Sequence, residues 1–325
     1  MNQLVNASRI LAYHGIADDS VGHISMRDPQ SPNTTFLVTG GSRTAAQVTP
    51  ADIAVVRIND SVVLSAALTG YPTPPRPAEI FIHSSIYQRL PNTTVSSIAY
   101  FQAEQLLPWA LYPANTTNAT TSEEAASDPI GFYAATAGAA FMGVNPAPIF
   151  DVFDAEPGTD SVAVDNTLKG YALAQTFEST NALSQTVNQS DGVRPLVLMR
   201  NDGATVVGTT VPETVFRFIQ AAKNARVLYH ASSLASANRS EPQFLPSVAI
   251  QSSDTYLRSW SLWMSQIEPS INADATRNPD LWKGNDDSGS GPTVTNGAAA
   301  LQPKTLSVSI LAIGIVLVPL TWFYV

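Results

Sequence analysis

RPAEIFIHSSIYQRLPNTTVSSIAYFQAEQLLPWA, residues 76–110, reads as a helix, a turn and a buried strand in immediate succession. Ile80, Ile82, Ile86 and Tyr87 recur at helical spacing, which places Glu79 and His83 one turn apart on the same side. Pro91 and Asn92 supply the turn. The segment 94–100 is then a buried strand ending at Tyr100 and Gln102, before a second helix begins.

Outward from this stretch, helices and strands alternate. Apolar residues Leu4, Ile10 and Leu11 define an N-terminal amphipathic helix stopped by Gly15. His23 to Arg27 alternates as a strand, and FLVTG, IAVVRI and SVVLS read as further strands. Downstream, 149–153 is expected as a strand, 162–177 as a helix and 194–199 as a strand. Asn201-Asp202-Gly203 turns that strand into ATVVG as a hairpin. Helices over 212–229 and 255–267 complete one α/β domain, 1–270, in which Trp260 and Trp263 belong to the core.

Composition narrows the function. The formal charge of -9 and pI near 4.8 exclude a nucleic-acid partner, which needs a basic stripe. Cysteine is absent, so disulfides, thiolate nucleophiles and Cys-based zinc sites are excluded. N-x-S/T triplets occur at Asn6, Asn33, Asn59, Asn92, Asn115, Asn118, Asn188 and Asn238, a pattern that a Ser/Thr-rich chain also produces by chance.

Residues 271–305 read as a disordered polar linker and 306–325, LSVSILAIGIVLVPLTWFYV, as an uncharged apolar tail. Small residues, a polar spacer and such a tail make a GPI-anchor signal, with Asn296-Gly297-Ala298 as the cleavage triplet. The expectation is membrane placement, at the cell surface through the anchor or as a tail-anchored protein. A transmembrane or docked core helix is the other reading of the tail. MNQLVNASRI lacks the basic and apolar regions of a secretory signal.

Three blocks, HGIADDSVGHISMRDP, RPAEIFIHSSIYQRLPN and MRNDGATVVGTTVPETVFRFIQAAKNARV, in this order, resemble the class II aldolase/adducin family over roughly residues 4–265. The resemblance implies a three-layer α/β/α sandwich around a mostly antiparallel central sheet, assembled as a homo-oligomer, often a tetramer. It also implies metal-dependent aldehyde-lyase chemistry, with zinc on three histidines and a glutamate as acid/base. The glutamate position is Glu79, whereas the three histidine positions fall on Tyr100, Gln102 and Asp202. A phenol and an amide are poor zinc ligands, so the expected cofactor is none; Gln102, Asp202 and Glu79 offer at best a weak oxygen site.

Further candidates surround these positions. Arg27, Ser42, Arg43 and Arg76 correspond to the family's anion-binding region, and His23 to a residue that touches substrate. Each also has an ordinary reading: a capping carboxylate for Glu79, a buried hydrogen bond for His23, a plain turn for TGGSR. The leading expectation is a membrane-tethered, catalytically degenerate module that binds a small carbonyl or sugar-like ligand or has a structural role. The alternatives are an active lyase or epimerase-like enzyme using Glu79 with Tyr100 as proton-transfer pair, and adducin-like cytoskeletal interaction.

Overall fold

The computed structural model describes residues 1–17, 22–40, 43–111, 131–143, 145–178, 193–238 and 253–282. Eight strands form its centre: β1 (Gly22–Arg27), β2 (Thr35–Thr39), β3 (Ile53–Arg57), β4 (Val63–Ala66), β5 (Ser97–Phe101), β6 (Ile149–Phe150), β7 (Leu196–Met199) and β8 (Gly203–Gly208). They lie in one sheet in the order β4-β3-β2-β1-β5-β8-β7-β6. Only the β6–β7 pair is parallel; the other pairs are antiparallel.

Eight α-helices accompany the sheet among the described residues: α1 (Asn2–Tyr13), α2 (Ile80–Arg89), α3 (Leu107–Leu111), α4 (Val152–Ala155), α5 (Thr167–Thr176), α6 (Val211–Asn238), α7 (Ser253–Arg277) and α8 (Pro279–Trp282). Strand side chains alternate between the two faces, and each face has its own core. Ala99 and Phe101 of β5 pack with α1, α6 and α7 on one side, while Ile98 and Tyr100 pack with α2 and α5 on the other. The same alternation splits β7 into Leu196 and Leu198 against Val197 and Met199. Both faces of the central strands are therefore covered, giving the α/β/α sandwich. Ile80, Ile82 and Ile86 of α2 are fully buried, each contributing about 2 kcal/mol of apolar transfer.

Several elements differ from the sequence-based expectation for local reasons. The strand expected at 149–153 stops at Phe150, because Asp151 caps α4 by accepting from the Phe153 amide (3.0 Å). The helix expected from 162 starts at Thr167, where Asn166 accepts from the Lys169 amide (3.0 Å). The last long helix runs on through Pro269 to Arg277, past the expected domain end at 270. Its extension is anchored to α1: Arg9 pairs with Asp274 (2.7 Å) and lies over the Trp282 ring at 5.3 Å.

The expected membrane placement is corrected. Among the described residues no helix is long and apolar enough to cross a membrane. Of the two long helices, α6 carries Glu213, Arg217, Lys223 and Arg226 within its first five turns, and charges at that spacing cannot be buried in hydrocarbon. The 306–325 apolar run and the 283–305 part of the linker lie outside the described residues.

Candidate active site at one end of the sheet

Two glycines bring the site together. Gly22 opens β1 at φ +131°, and a Cβ there would sit 2.1 Å from the Phe101 ring. Its absence lets β1 lie flush on β5, so that His23 pairs in register with Tyr100. Gly203 opens β8 at φ +133°, and its Cβ would meet the Phe101 carbonyl at 2.4 Å. The β7–β8 turn can thus press Asp202 against the end of β5. Both positions demand glycine for conformation and for space.

Glu79, the residue just before α2, completes the cluster. The Tyr100 hydroxyl donates to Asp202 Oδ1 at 2.7 Å, and Gln102 Nε2 donates to the same oxygen at 3.0 Å. Glu79 lies within hydrogen-bonding reach of both Tyr100 and Asp202 and accepts from the Val164 amide at 3.2 Å. Lys169 supports that amide from behind: its ammonium donates to the Ala163 carbonyl (3.2 Å) and pairs with Asp165 (3.0 Å), fixing the 161–165 turn. Tyr100 is fully buried, Asp202 is 2% exposed and Glu79 7%.

Two carboxyl groups in so dry a place cannot both ionise freely. Burial, then the charge of Asp202, push Glu79 up to about 7. Burial likewise raises Asp202, and burial with the two neighbouring carboxylates raises Tyr100, keeping it a phenol at neutral pH. Asp202 Oδ2 is buried with no nitrogen or hydroxyl donor among the described residues. Asp202 also lies within hydrogen-bonding reach of the Glu79 carboxyl, and those two groups can bond only when one of them carries a proton. The cluster therefore retains a shareable proton near neutrality.

A second polar group adjoins it. His23 and Ser25 point to the same face of β1, where α2 presents His83 and Tyr87 one turn apart. His23 Nδ1 meets His83 Nε2 at 2.6 Å, His83 Nδ1 meets Ser25 Oγ at 2.7 Å, and Ser25 Oγ meets the Tyr87 hydroxyl at 2.8 Å. The His23 ring lies 5.2 Å from that of Tyr100, centroid to centroid. Burial lowers His23 to about 3, and burial with the neighbouring His23 takes His83 well below the ordinary imidazole value, so both rings are neutral.

The remaining sequence candidates fall elsewhere. Arg27 lies four residues along β1, about 13 Å from His23, and its guanidinium donates to the carbonyls of Val95, Pro32, Tyr87 and Leu90 at 2.7–2.8 Å. Arg76 is exposed and lies over the Phe81 ring at 5.4 Å, three positions before Glu79. Arg43 pairs with Asp52 (3.1 Å), and Ser42 lies outside the described residues. Sequence reasoning did not single out Ser25, Tyr87, Val164 or Lys169. Alternation along β1 and the i, i+4 pair in α2 are the signals that find the first two.

The family's zinc does not fit these residues. Asp202 Oδ1 is engaged by two protein donors, Gln102 turns its nitrogen inward, and the adjoining imidazoles are bonded to each other and to Ser25. Among the described residues no group of three His, Cys, Asp or Glu side chains is arranged to hold a metal ion.

This fold belongs to a known class. Residues 2–229 match the Class II Aldolase and Adducin N-terminal domain, and the chain belongs to that family. Decarboxylase tropJ from Talaromyces stipitatus is 29% identical over 283 residues, spanning 81% of this chain and 92% of that protein. An aldolase II superfamily protein from Pseudomonas syringae superposes with a TM-score of 0.55 at 14% identity, covering 82% of this chain and 91% of that one. L-fuculose 1-phosphate aldolase from Glaciozyma antarctica PI12 gives a TM-score of 0.47 at 18% identity, covering 86% and 89%. At 14% identity the likeness to the Pseudomonas syringae protein concerns the fold.

Proposed function

We propose that this chain is a carbon–carbon lyase of the decarboxylase type, acting on a small carbonyl-containing acid through Glu79 and Tyr100 without the family's zinc. The observation that carries the reading is the desolvated Glu79–Asp202 pair bridged by Tyr100, with Glu79 held at about 7. A carboxyl tuned to neutrality suits general acid work, because it both holds and releases its proton at working pH. The name of the decarboxylase relative supports the same reaction class.

In a 3-oxo acid, cleavage of the bond to the carboxylate releases carbon dioxide and leaves its electron pair as an enolate. Glu79 then gives its proton to the enolate carbon, and the resulting carboxylate is reprotonated from water. Tyr100 stays a phenol throughout and donates to Asp202, which holds the negative charge of that carboxylate in place. Arg76, exposed and three positions before Glu79 in sequence, is the cation this reading assigns to the substrate carboxylate.

Complete burial of Tyr100 favours a second reading, a degenerate module that binds a small acid without turning it over. Carbon dioxide release from acetoacetate, oxaloacetate and 2,4-dihydroxybenzoate separates the two. We expect turnover of at least one of these acids and a loss of about 100-fold or more in Glu79→Gln. Turnover equal in wild type and E79Q overturns the catalytic reading, and binding without turnover establishes the module.

A further inference from the structure

The mechanism above leaves unused a buried line of four side chains that reaches the site from inside the protein. Tyr87, Ser25, His83 and His23 are joined at 2.8, 2.7 and 2.6 Å, and all four are buried. Each can donate one hydrogen bond and accept another, the hydroxyls through a single oxygen and the neutral imidazoles through their two nitrogens. A chain of this kind has two polarities, and the structure favours one. Tyr87 has two acceptors in reach, Ser25 Oγ at 2.8 Å and the Ser96 carbonyl at 3.5 Å. The shorter contact is the stronger bond. The Arg27 guanidinium, 4.6 Å over the Tyr87 ring, makes the phenol the better donor.

Once Tyr87 donates to Ser25, the remaining directions follow. The single Ser25 proton goes to His83 Nδ1, His83 Nε2–H goes to His23 Nδ1, and His23 carries its own proton on Nε2. Among the described residues, the one side-chain hydrogen bond found for the His23 ring is through Nδ1, which leaves Nε2 for a ligand. Nε2 belongs to the ring lying beside Tyr100.

We infer that Tyr87, Ser25 and His83 form a polarised relay that fixes His23 as a neutral Nε2–H donor beside Tyr100, where it hydrogen-bonds the enolate oxygen of the reacting carbonyl compound. The second half of this inference rests on the decarboxylase reading. His23 transfers no proton: it supplies a fixed dipole where negative charge develops, the work that a Lewis-acid metal does elsewhere in this family. His23 is thus a catalytic residue, and His83, Ser25 and Tyr87 are positioning residues. Neutrality of both rings follows from their burial.

The relay is tested without substrate, by ring 15N shifts of histidine-labelled protein at pH 7, with signals assigned through His23→Gln. Wild type should show His23 and His83 as Nε2–H tautomers. Tyr87→Phe should shift both toward a mixture with Nδ1–H, and Ser25→Ala should do the same should the first variant fail to fold. A wild-type His23 in the Nδ1–H or charged form, or ring shifts unchanged in a folded variant, overturns the relay. For the catalytic half, carboxyl-labelled acetoacetate is the probe. His23→Leu should lower kcat about 100-fold with KM within about threefold, and H23Q, whose amide retains a donor, should recover part of the loss. An unchanged kcat in H23L overturns that half. If E79Q turns out fully active, the enolate role falls with the decarboxylase reading, while the 15N shifts alone decide the relay.

Discussion

The two ends of the layer between β1 and α2 treat buried charge in opposite ways. At one end the Arg27 guanidinium is 5% exposed and donates to four backbone carbonyls. At the other, two carboxyl groups are buried with few donors, and among the described residues Asp202 Oδ2 has none from nitrogen or hydroxyl. A buried ion whose hydrogen bonds are complete is stable and inert. A buried acid whose bonds are incomplete holds a proton at an unusual pKa and can exchange it. The first pattern locks the carboxyl-terminal end of α2 to β1; the second is the reason to place chemistry at its amino-terminal end.

The largest test of this contrast is at the satisfied end. Arg27→Met leaves the carbonyls of Val95, Pro32, Tyr87 and Leu90 without their donor, each worth about 1 kcal/mol or more. A loss of about 4 kcal/mol is expected in urea unfolding. The loss should be the same at pH 5 and pH 8, since no group near neutrality is involved.

At the unsatisfied end the effect depends on pH. Glu79 has a folded-state value of about 7 against an ordinary 4.5, so between those values the folded chain holds a proton that the unfolded chain releases. Stability contributed by this group is therefore present below pH 4.5 and lost as pH rises through 7, by up to about 3 kcal/mol. His23 acts with the opposite sign: its value falls from 6.5 to about 3, so its neutral burial costs stability as pH drops below 6.5. Unfolding free energies of E79Q and wild type should coincide near pH 4 and diverge in favour of E79Q by pH 8. Parallel curves would show that Glu79 ionises normally and remove the contrast.

Smaller changes sharpen the contrast. Asp202→Asn removes a charge that helps to raise Glu79, so the Glu79 midpoint should fall from about 7 toward 4.5 in a 13C carboxyl titration. Lys169→Met acts one layer further out. It loosens the turn that presents the Val164 amide to Glu79, a bond that lowers the Glu79 value, and the midpoint should rise by less than about one unit.

Much of the architecture was readable from local pattern. The helix over residues 80–89, the strand ending at Phe101 and the Asn201-Asp202-Gly203 hairpin follow from periodicity and turn chemistry, which act within a few residues. The errors of extent arose where a single side chain intervened, as Asp151 and Asn166 do by capping helices inside stretches of apolar pattern. The site was readable only in part. The family resemblance pointed to Glu79, Tyr100, Gln102 and Asp202, yet it grouped Arg27 with His23, although three strand residues lie between them and hold them about 13 Å apart.

The sequence by itself determined the family blocks, the central sheet's alternating faces and the residue types that replace three imidazoles with a phenol, an amide and a carboxylate. Only the tertiary structure decided what those replacements do. It set Tyr100 against Asp202 across 102 positions of chain, buried Glu79 to 7% exposure, and threaded His83 between His23 and Ser25. Ionisation depends on desolvation and on through-space neighbours, and neither is written in the order of residues along the chain.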